Sequence, residues 1–389
     1  MRVLTARNVL LTLIAFVVYK WTCVKPKITW KPSNATKFES CPEGTKETML
    51  FFGATSMLGR YVVDSFLTSQ DLCIVNFGRS HCPLCHVNVK GDLRDVGLVQ
   101  RVFDEFDVHT VLTAVRPPLL GVHYRDYIEL NLLSMIELSQ AAKKAGVRHF
   151  IYVSSIACAS HYIPHHNATE ADPQPFLTHY EAPYDVSKRL AEDFIIDLHE
   201  PGVFDVVSIR TGGIYGGSGD PYEHYQYLPF ILSFDVPAVV DANYAGNIGD
   251  ALVAVREKLK QDPSVGGQFY YYTGDHIPEG VVARFASDAT DRPLVTIPYF
   301  LLEIVIDVWS YLRFDHNTYS YLDLLKMAVI PQTFDQTKFH STFTNFKQKY
   351  TLEQALHLIY GTGTSVKAST PKQDEILADA QQQEEQKEL

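Results

Sequence analysis

Positive charge is what this sequence is short of. Its 389 residues carry 34 Lys and Arg against 45 Asp and Glu, a formal net charge of −11. Phosphate backbones call for the opposite balance, which excludes nucleic acid as the main partner. Cysteine is sparse as well: six in 389 residues are too few for a disulfide scaffold. No repeat of about 20–50 residues appears, so a solenoid or propeller is not expected. No continuous apolar run reaches the ~20 residues that span a bilayer. What remains is globular: hydrophobic residues make up 46% and charged residues 20%, which excludes wholesale disorder. With 22 Tyr and 22 Phe there is aromatic surface to spare beyond a core. The length suits one to three domains.

Val9–Tyr19 is apolar, with Arg2 and Arg7 before it and Lys20, Lys25, Lys27 and Lys31 after. Extended through Trp21, Cys23 and Val24, it reads as an uncleaved membrane anchor with interface aromatics, because no A-x-A-like cleavage site follows. The flanking charge, slightly heavier after the run, predicts a cytosolic domain. Residues 1–45 are thus expected to be anchor and linker, 46–363 the folded domain, and 364–389 a flexible acidic tail.

From about residue 46, short apolar strands alternate with helical stretches. That order predicts an α/β fold: a doubly wound parallel sheet of Rossmann type with a smaller C-terminal substrate lobe. Between the first strand and helix stands Gly53-Ala54-Thr55-Ser56-Met57-Leu58-Gly59. Such a turn offers backbone N–H groups and a helix N-terminus to a pyrophosphate. Gly53, Thr55, Ser56, Met57, Leu58 and Gly59 are therefore candidate coenzyme contacts. Ser56 stands at the middle Gly position, where its Cβ is expected to narrow the phosphate approach. The second strand ends without the acid that takes a ribose 2′-hydroxyl; Arg79 stands there, which tilts the choice from NAD toward NADP. Asp92 and Leu93, after the third strand, are placed at the adenine edge.

Ser154 and Ser155 end the strand Phe150–Val153. Tyr184 and Lys188 follow at i and i+4, which puts them on one helical face. A free Tyr titrates near 10, and a nearby ammonium lowers that value. Tyr184 can then exchange a proton with a substrate oxygen, which a serine hydroxyl orients.

The segments FIYVSSIA (150–157), APYDVSKRLAE (182–192), IRTGGIYG (209–216), NYAGNIGDALVA (243–254) and GQFYYYTGD (267–275) resemble the 3β-hydroxysteroid dehydrogenase/isomerase family of extended short-chain dehydrogenases. The likeness runs from about 47 to 358. It implies an NAD or NADP oxidoreductase acting on the 3β-hydroxyl or keto group of a sterol or steroid, at an endoplasmic reticulum membrane. It implies Tyr184 and Lys188 as the catalytic pair, Ser155 (alternatively Ser154) as the oxygen-orienting residue, and Asn131 as support. Lys188 would also hold the nicotinamide ribose. Thr211 departs from the family, which has Pro after the Arg. Arg116-Pro117-Pro118 resembles a branch that oxidises 4-carboxysterols with loss of CO₂. The isomerase pair does not map onto this chain. A homo-oligomer is left open. The rival readings are a nucleotide-sugar epimerase or reductase on the same fold and a catalytically silent coenzyme sensor or scaffold.

Lesser features complete the expectations. His81-Cys82-Pro83-Leu84-Cys85-His86 reads as a cysteine-containing surface loop rather than a zinc site, and no metal is expected. Asn34-Ala35-Thr36 and Asn167-Ala168-Thr169 are glycosylation sequons that matter only in a luminal domain. The terminal Gln-Lys-Glu-Leu lacks the Asp of a KDEL-type signal. Pro298–Phe314 is apolar but broken by Glu303, Asp307 and Arg313, which suits a helix lying on a membrane or lining a pocket better than one spanning it.

Overall fold

The computed structural model describes residues 38–360, apart from 70, 119–121, 181, 217–228, 237, 279, 302, 305–307 and 309–328. The expected anchor and tail lie outside the described residues. Among those described, no helix is long and apolar enough to cross a membrane.

The alternating pattern becomes a seven-stranded parallel sheet. Its strands are β1 (Glu47–Phe52), β2 (Leu72–Gly78), β3 (Val87–Lys90), β4 (Thr110–Thr113), β5 (His149–Ser155), β6 (Asp205–Thr211) and β7 (Gln268–Tyr271). They run in the spatial order β7-β6-β5-β4-β1-β2-β3. The order reverses beside β1, the switch point where a doubly wound sheet opens a crevice at its carboxyl edge. This is the Rossmann-type fold read from the sequence.

Helices cover both faces. On one, α1 (Met57–Phe66) packs against α5 (Ala245–Gln261) over Met49, Phe51, Ile74 and Ile151. On the other, α2 (Val96–Glu105), α3 (Ser134–Lys144) and α4 (Pro183–Asp197) cover Leu50, Phe52, Val75 and Phe150. Strands buried on both faces read as continuous apolar runs, which is why LCIVNF and FIYV are legible. The stretch before α3 passes through a π-helical turn at Ile128–Leu133.

A second sheet, built from strands such as His165–Ala168, Val239–Tyr244 and Gln332–Phe334, forms the C-terminal lobe beside the carboxyl edge. Of the 298–314 segment, Phe300, Leu301, Ile304 and Val308 present exposed apolar side chains.

Cysteine is used differently from expectation. Cys41, placed in the linker, is disulfide-bonded to Cys73 of β2. Phe38 beside it packs on Phe106, so the end of the linker belongs to the core. Cys82 and Cys85, read as a plain surface loop, are buried and bonded to each other. Pairing needs only close Cβ positions, and so few cysteines gave no framework from which to read it.

Candidate functional site

The site lies at the carboxyl edge of the sheet, where the Gly loop, the ends of β4 and β5 and the start of α4 meet. Gly53 leaves β1 at φ +108, and a Cβ there would sit 3.1 Å from the Ala114 backbone. At Gly59 a Cβ would fall 2.0 Å from the Gly53 carbonyl oxygen, so only glycine lets helix and loop close. These two positions build the cradle that a pyrophosphate needs at a helix N-terminus.

Ser56 corrects the sequence reading. It is the N-cap of α1, with extended backbone at φ −70 and ψ 168. Its Oγ accepts from Gly59 N at 2.9 Å and donates to Gly53 O at 2.8 Å. The side chain folds back to close the loop, a preferred role for serine, instead of filling the phosphate space. Thr55 and Ser56 are exposed on the crest of the loop, and Met57 is half-buried. Leu58 turns into the core, so only its backbone can face a ligand.

At the adenosine end, Arg79 is exposed just past β2. Behind it the buried Asn76 donates to Ser80 O at 3.0 Å and to Asn88 Oδ1 at 2.8 Å. Asn88 also ties both backbone groups of Cys82, so the loop bearing Arg79 is held by hydrogen bonds and by the Cys82–Cys85 bond. Asp92 is buried and already paired: Arg94 Nε and Nη2 donate to its two oxygens at 2.8 and 3.0 Å. Leu93 is buried beside it. Asp92 therefore serves to fix the turn, and what it offers an adenine is limited by that pair.

β5 separates the two serines. Successive strand residues point to opposite faces. Ser154 is buried against Cys158, Oγ to Sγ 3.2 Å. Ser155 faces the other way; its Oγ accepts from Ala157 N at 3.2 Å, and its hydroxyl acts on Tyr184 to hold that phenol's pKa down. Tyr184 opens α4, which Pro183 starts at its first turn. Burial raises the Tyr184 pKa; the Arg116 guanidinium and the Ser155 hydrogen bond oppose that rise. Lys188, one turn on, is buried, and burial lowers its pKa to about 8. Its Nζ donates to Val115 O at 3.5 Å and Val153 O at 3.4 Å, above the Tyr152 ring. The sequence assigned a lowered Tyr184 pKa to Lys188; here burial raises that pKa, and Arg116 is the cation that opposes the rise most.

Asn131 sits in the π-helical turn. Its Nδ2 donates to Ser187 Oγ at 3.1 Å, and Ser187 donates to Tyr184 O at 2.8 Å. Its Oδ1 is buried without a protein hydrogen-bond partner. π-turns recur at functional sites because they aim one side chain out of phase.

Three supports surround the site; of their residues the sequence reading singles out only His161, as part of a polar loop near the substrate mouth. His161 stacks on Tyr184 at 6.4 Å between ring centroids, held by Asp185, which is fully buried. Tyr127 meets Tyr184 edge-on at 5.8 Å. Arg210 of β6 and Glu192 of α4 form a buried ion pair beneath the site. Thr211, the departure from the family, donates through Oγ1 to Ser154 O at 3.2 Å and so ties β6 to β5. Only the charge and spacing of Asp185 and Glu192 on the buried face of a helix could have flagged the two acids.

Comparison with known proteins agrees with this geometry. Residues 49–233 match the NAD dependent epimerase/dehydratase family. The sterol-4-alpha-carboxylate 3-dehydrogenase, decarboxylating, of Saccharomyces cerevisiae is 28% identical over 204 residues, covering 48% of this chain and 55% of that protein. The match thus spans little more than half of that relative's length. The Bos taurus enzyme of that name is 24% identical over 287 residues, 70% of this chain and 78% of its own. The UDP-glucose 4-epimerase structure from Thermus thermophilus with NAD superposes with a TM-score of 0.60 at 17% identity, over 80% of this chain and 97% of that one. The fold is therefore the Rossmann-type fold that this structure shares.

Proposed function

We propose that the protein is a nicotinamide-dependent dehydrogenase acting on the 3-hydroxyl of a sterol or steroid at a membrane, with 4-carboxysterols the first substrates to try. The observation that carries the reading is the grouping of Ser155 at the end of β5 with Tyr184 and, one turn on, Lys188 on α4, beside the Gly cradle. The sterol dehydrogenase relatives support the substrate class.

The cradle of Gly53, Gly59 and the α1 N-terminus fits a dinucleotide pyrophosphate, and Arg79 fits a ribose 2′-phosphate, which favours NADP over NAD. When bound, the coenzyme takes up the hydride from the carbinol carbon. Ser155 Oγ donates to the substrate oxygen and orients it. Tyr184 Oη removes the hydroxyl proton as the carbonyl forms. Lys188, one turn along α4 and donating to Val115 O and Val153 O, adds a positive charge on the helix that carries Tyr184. Arg116 adds a cation beside Tyr184, where a carboxylate on the carbon next to the hydroxyl would meet it. Oxidation there yields a β-keto acid, which loses CO₂ readily.

The test is turnover by the membrane-bound protein with 3β-hydroxysterols, with and without a 4-carboxyl group, and with NAD⁺ and NADP⁺ in turn. Oxidation that Tyr184→Phe loses supports the reading. Tight coenzyme binding with no turnover on any sterol overturns it in favour of a silent sensor, and turnover of UDP-glucose would transfer the site to epimerase chemistry.

A further inference from the structure

We propose that this domain matures in an oxidising, luminal compartment, and that Asn167 is N-glycosylated there. Two observations made independently of the active site converge on it.

The first is the state of the cysteines. Cys41 and Cys73, 32 residues apart, are joined with a Cα–Cα distance of 5.8 Å. That bond links the first described segment to the second strand of the main sheet, with Cys73 fully buried. Cys82 and Cys85 are joined as well. The one free cysteine among the described residues, Cys158, is buried. No described cysteine therefore presents an accessible thiol. Persistent structural disulfides belong to oxidising compartments, and reducing cytosol keeps such pairs open.

The second is the sequon Asn167-Ala168-Thr169. Asn167 is exposed and lies on His165–Ala168, which ends the second sheet in the order found. Its φ of +52 is a conformation asparagine tolerates better than most residues. The backbone is pinned by Asn167 N donating to Thr333 Oγ1 at 2.8 Å. The side chain stands at the rim of a shallow cleft with Asp335 and His340. An attached glycan projects into solvent and shields an unpaired strand edge. Asn34 carries the second sequon of the chain, outside the described residues. The luminal side reverses the side expected from the flanking charges at the N-terminus.

The experiment expresses the full chain in eukaryotic cells. The readouts are mobility after peptide-N-glycosidase treatment and maleimide labelling of acid-quenched lysates. Wild type should shift on deglycosylation, and Asn34→Gln should still shift. Asn167→Gln and Thr169→Ala should each lose one glycan step. Because the sugar is added before folding finishes, the readout holds even for a variant that folds poorly. Cys41 and Cys73 should resist maleimide until reductant is added. An Asn34→Gln protein that does not shift, or free thiols at Cys41 and Cys73 in quenched cells, overturns the proposal.

Discussion

Arg210 Nε and Nη2 both donate to Glu192 Oε2, at 2.9 and 2.6 Å, in the interior between β6 and α4. Ser208 donates to the other carboxylate oxygen at 2.6 Å, and the guanidinium lies 3.6 Å over the Phe269 ring. This pair fixes the helix that carries Tyr184 and Lys188 to the sheet that carries Ser155. Removing one partner of a buried pair strands a charge. Glu192→Gln should therefore cost about 3–5 kcal/mol of stability in denaturant unfolding. Burial alone would raise the Glu192 carboxyl, yet Arg210 and its hydrogen bonds bring it below 4.5. Its contribution is then complete above that value and lost as pH falls through the folded pKa. The gap between wild type and Glu192→Gln should shrink in acid; an unchanged gap would remove the ion pair from the account.

Tyr184→Phe should retain coenzyme binding and lower kcat by about 10²–10⁴, the range for a lost general acid–base. Coenzyme fluorescence titration and turnover separate the two. Equal loss of binding and rate would mean that the ring holds the fold and not the proton.

Lys188 gives a pH signature. Its proton is held less tightly in the folded chain, at about 8, than the ordinary 10.5. Between those values the unfolded chain binds more protons, so stability from this group rises with pH. Coenzyme-free wild type should gain on Lys188→Met from pH 8 to 10.5 in parallel denaturant titrations. A flat difference would show that the ammonium is solvated.

Ser56 separates capping from phosphate contact. Ser56→Ala should destabilise by about 1 kcal/mol and Ser56→Gly by only a few tenths. If Ser56→Gly instead sharply improved coenzyme affinity, the hydroxyl would be an obstacle after all.

The Cys82–Cys85 bond holds the loop behind Arg79. Cys82→Ser with Cys85→Ser should weaken coenzyme binding up to about tenfold, or about 1.4 kcal/mol, with little change in sterol KM. Arg79→Asp should shift preference toward NAD. A coenzyme ratio that ignores Arg79 would end its part in the argument.

Local pattern carried most of the fold. β1, β2 and β5 are apolar runs, the glycines sit where backbone must pass, and Tyr184 and Lys188 are one helical turn apart, so all were legible. The Cys41–Cys73 pair, the Arg210–Glu192 pair and the His161–Asp185 contact join segments far apart in sequence, and no local pattern predicts which distant groups meet. Ser154 and Ser155 were both legible as candidates, and strand alternation sends them to opposite faces of β5. Ser56 was misjudged because its identity was weighed without its backbone. At φ −70 nothing demands glycine, and a hydroxyl there can cap a helix.

The π-turn at Ile128–Leu133 has a consequence for how this chain can change. One residue more per turn resets the angular phase of the helix, so the residues before and after it keep separate time. Asn131 can aim at the active site while the Met135, Leu138 and Ala142 stripe still faces the sheet. Deleting a single residue in that turn would restore one continuous phase and swing either the asparagine or the stripe by about 100°. The turn thus lets the reactive end and the packing end of one rod vary independently.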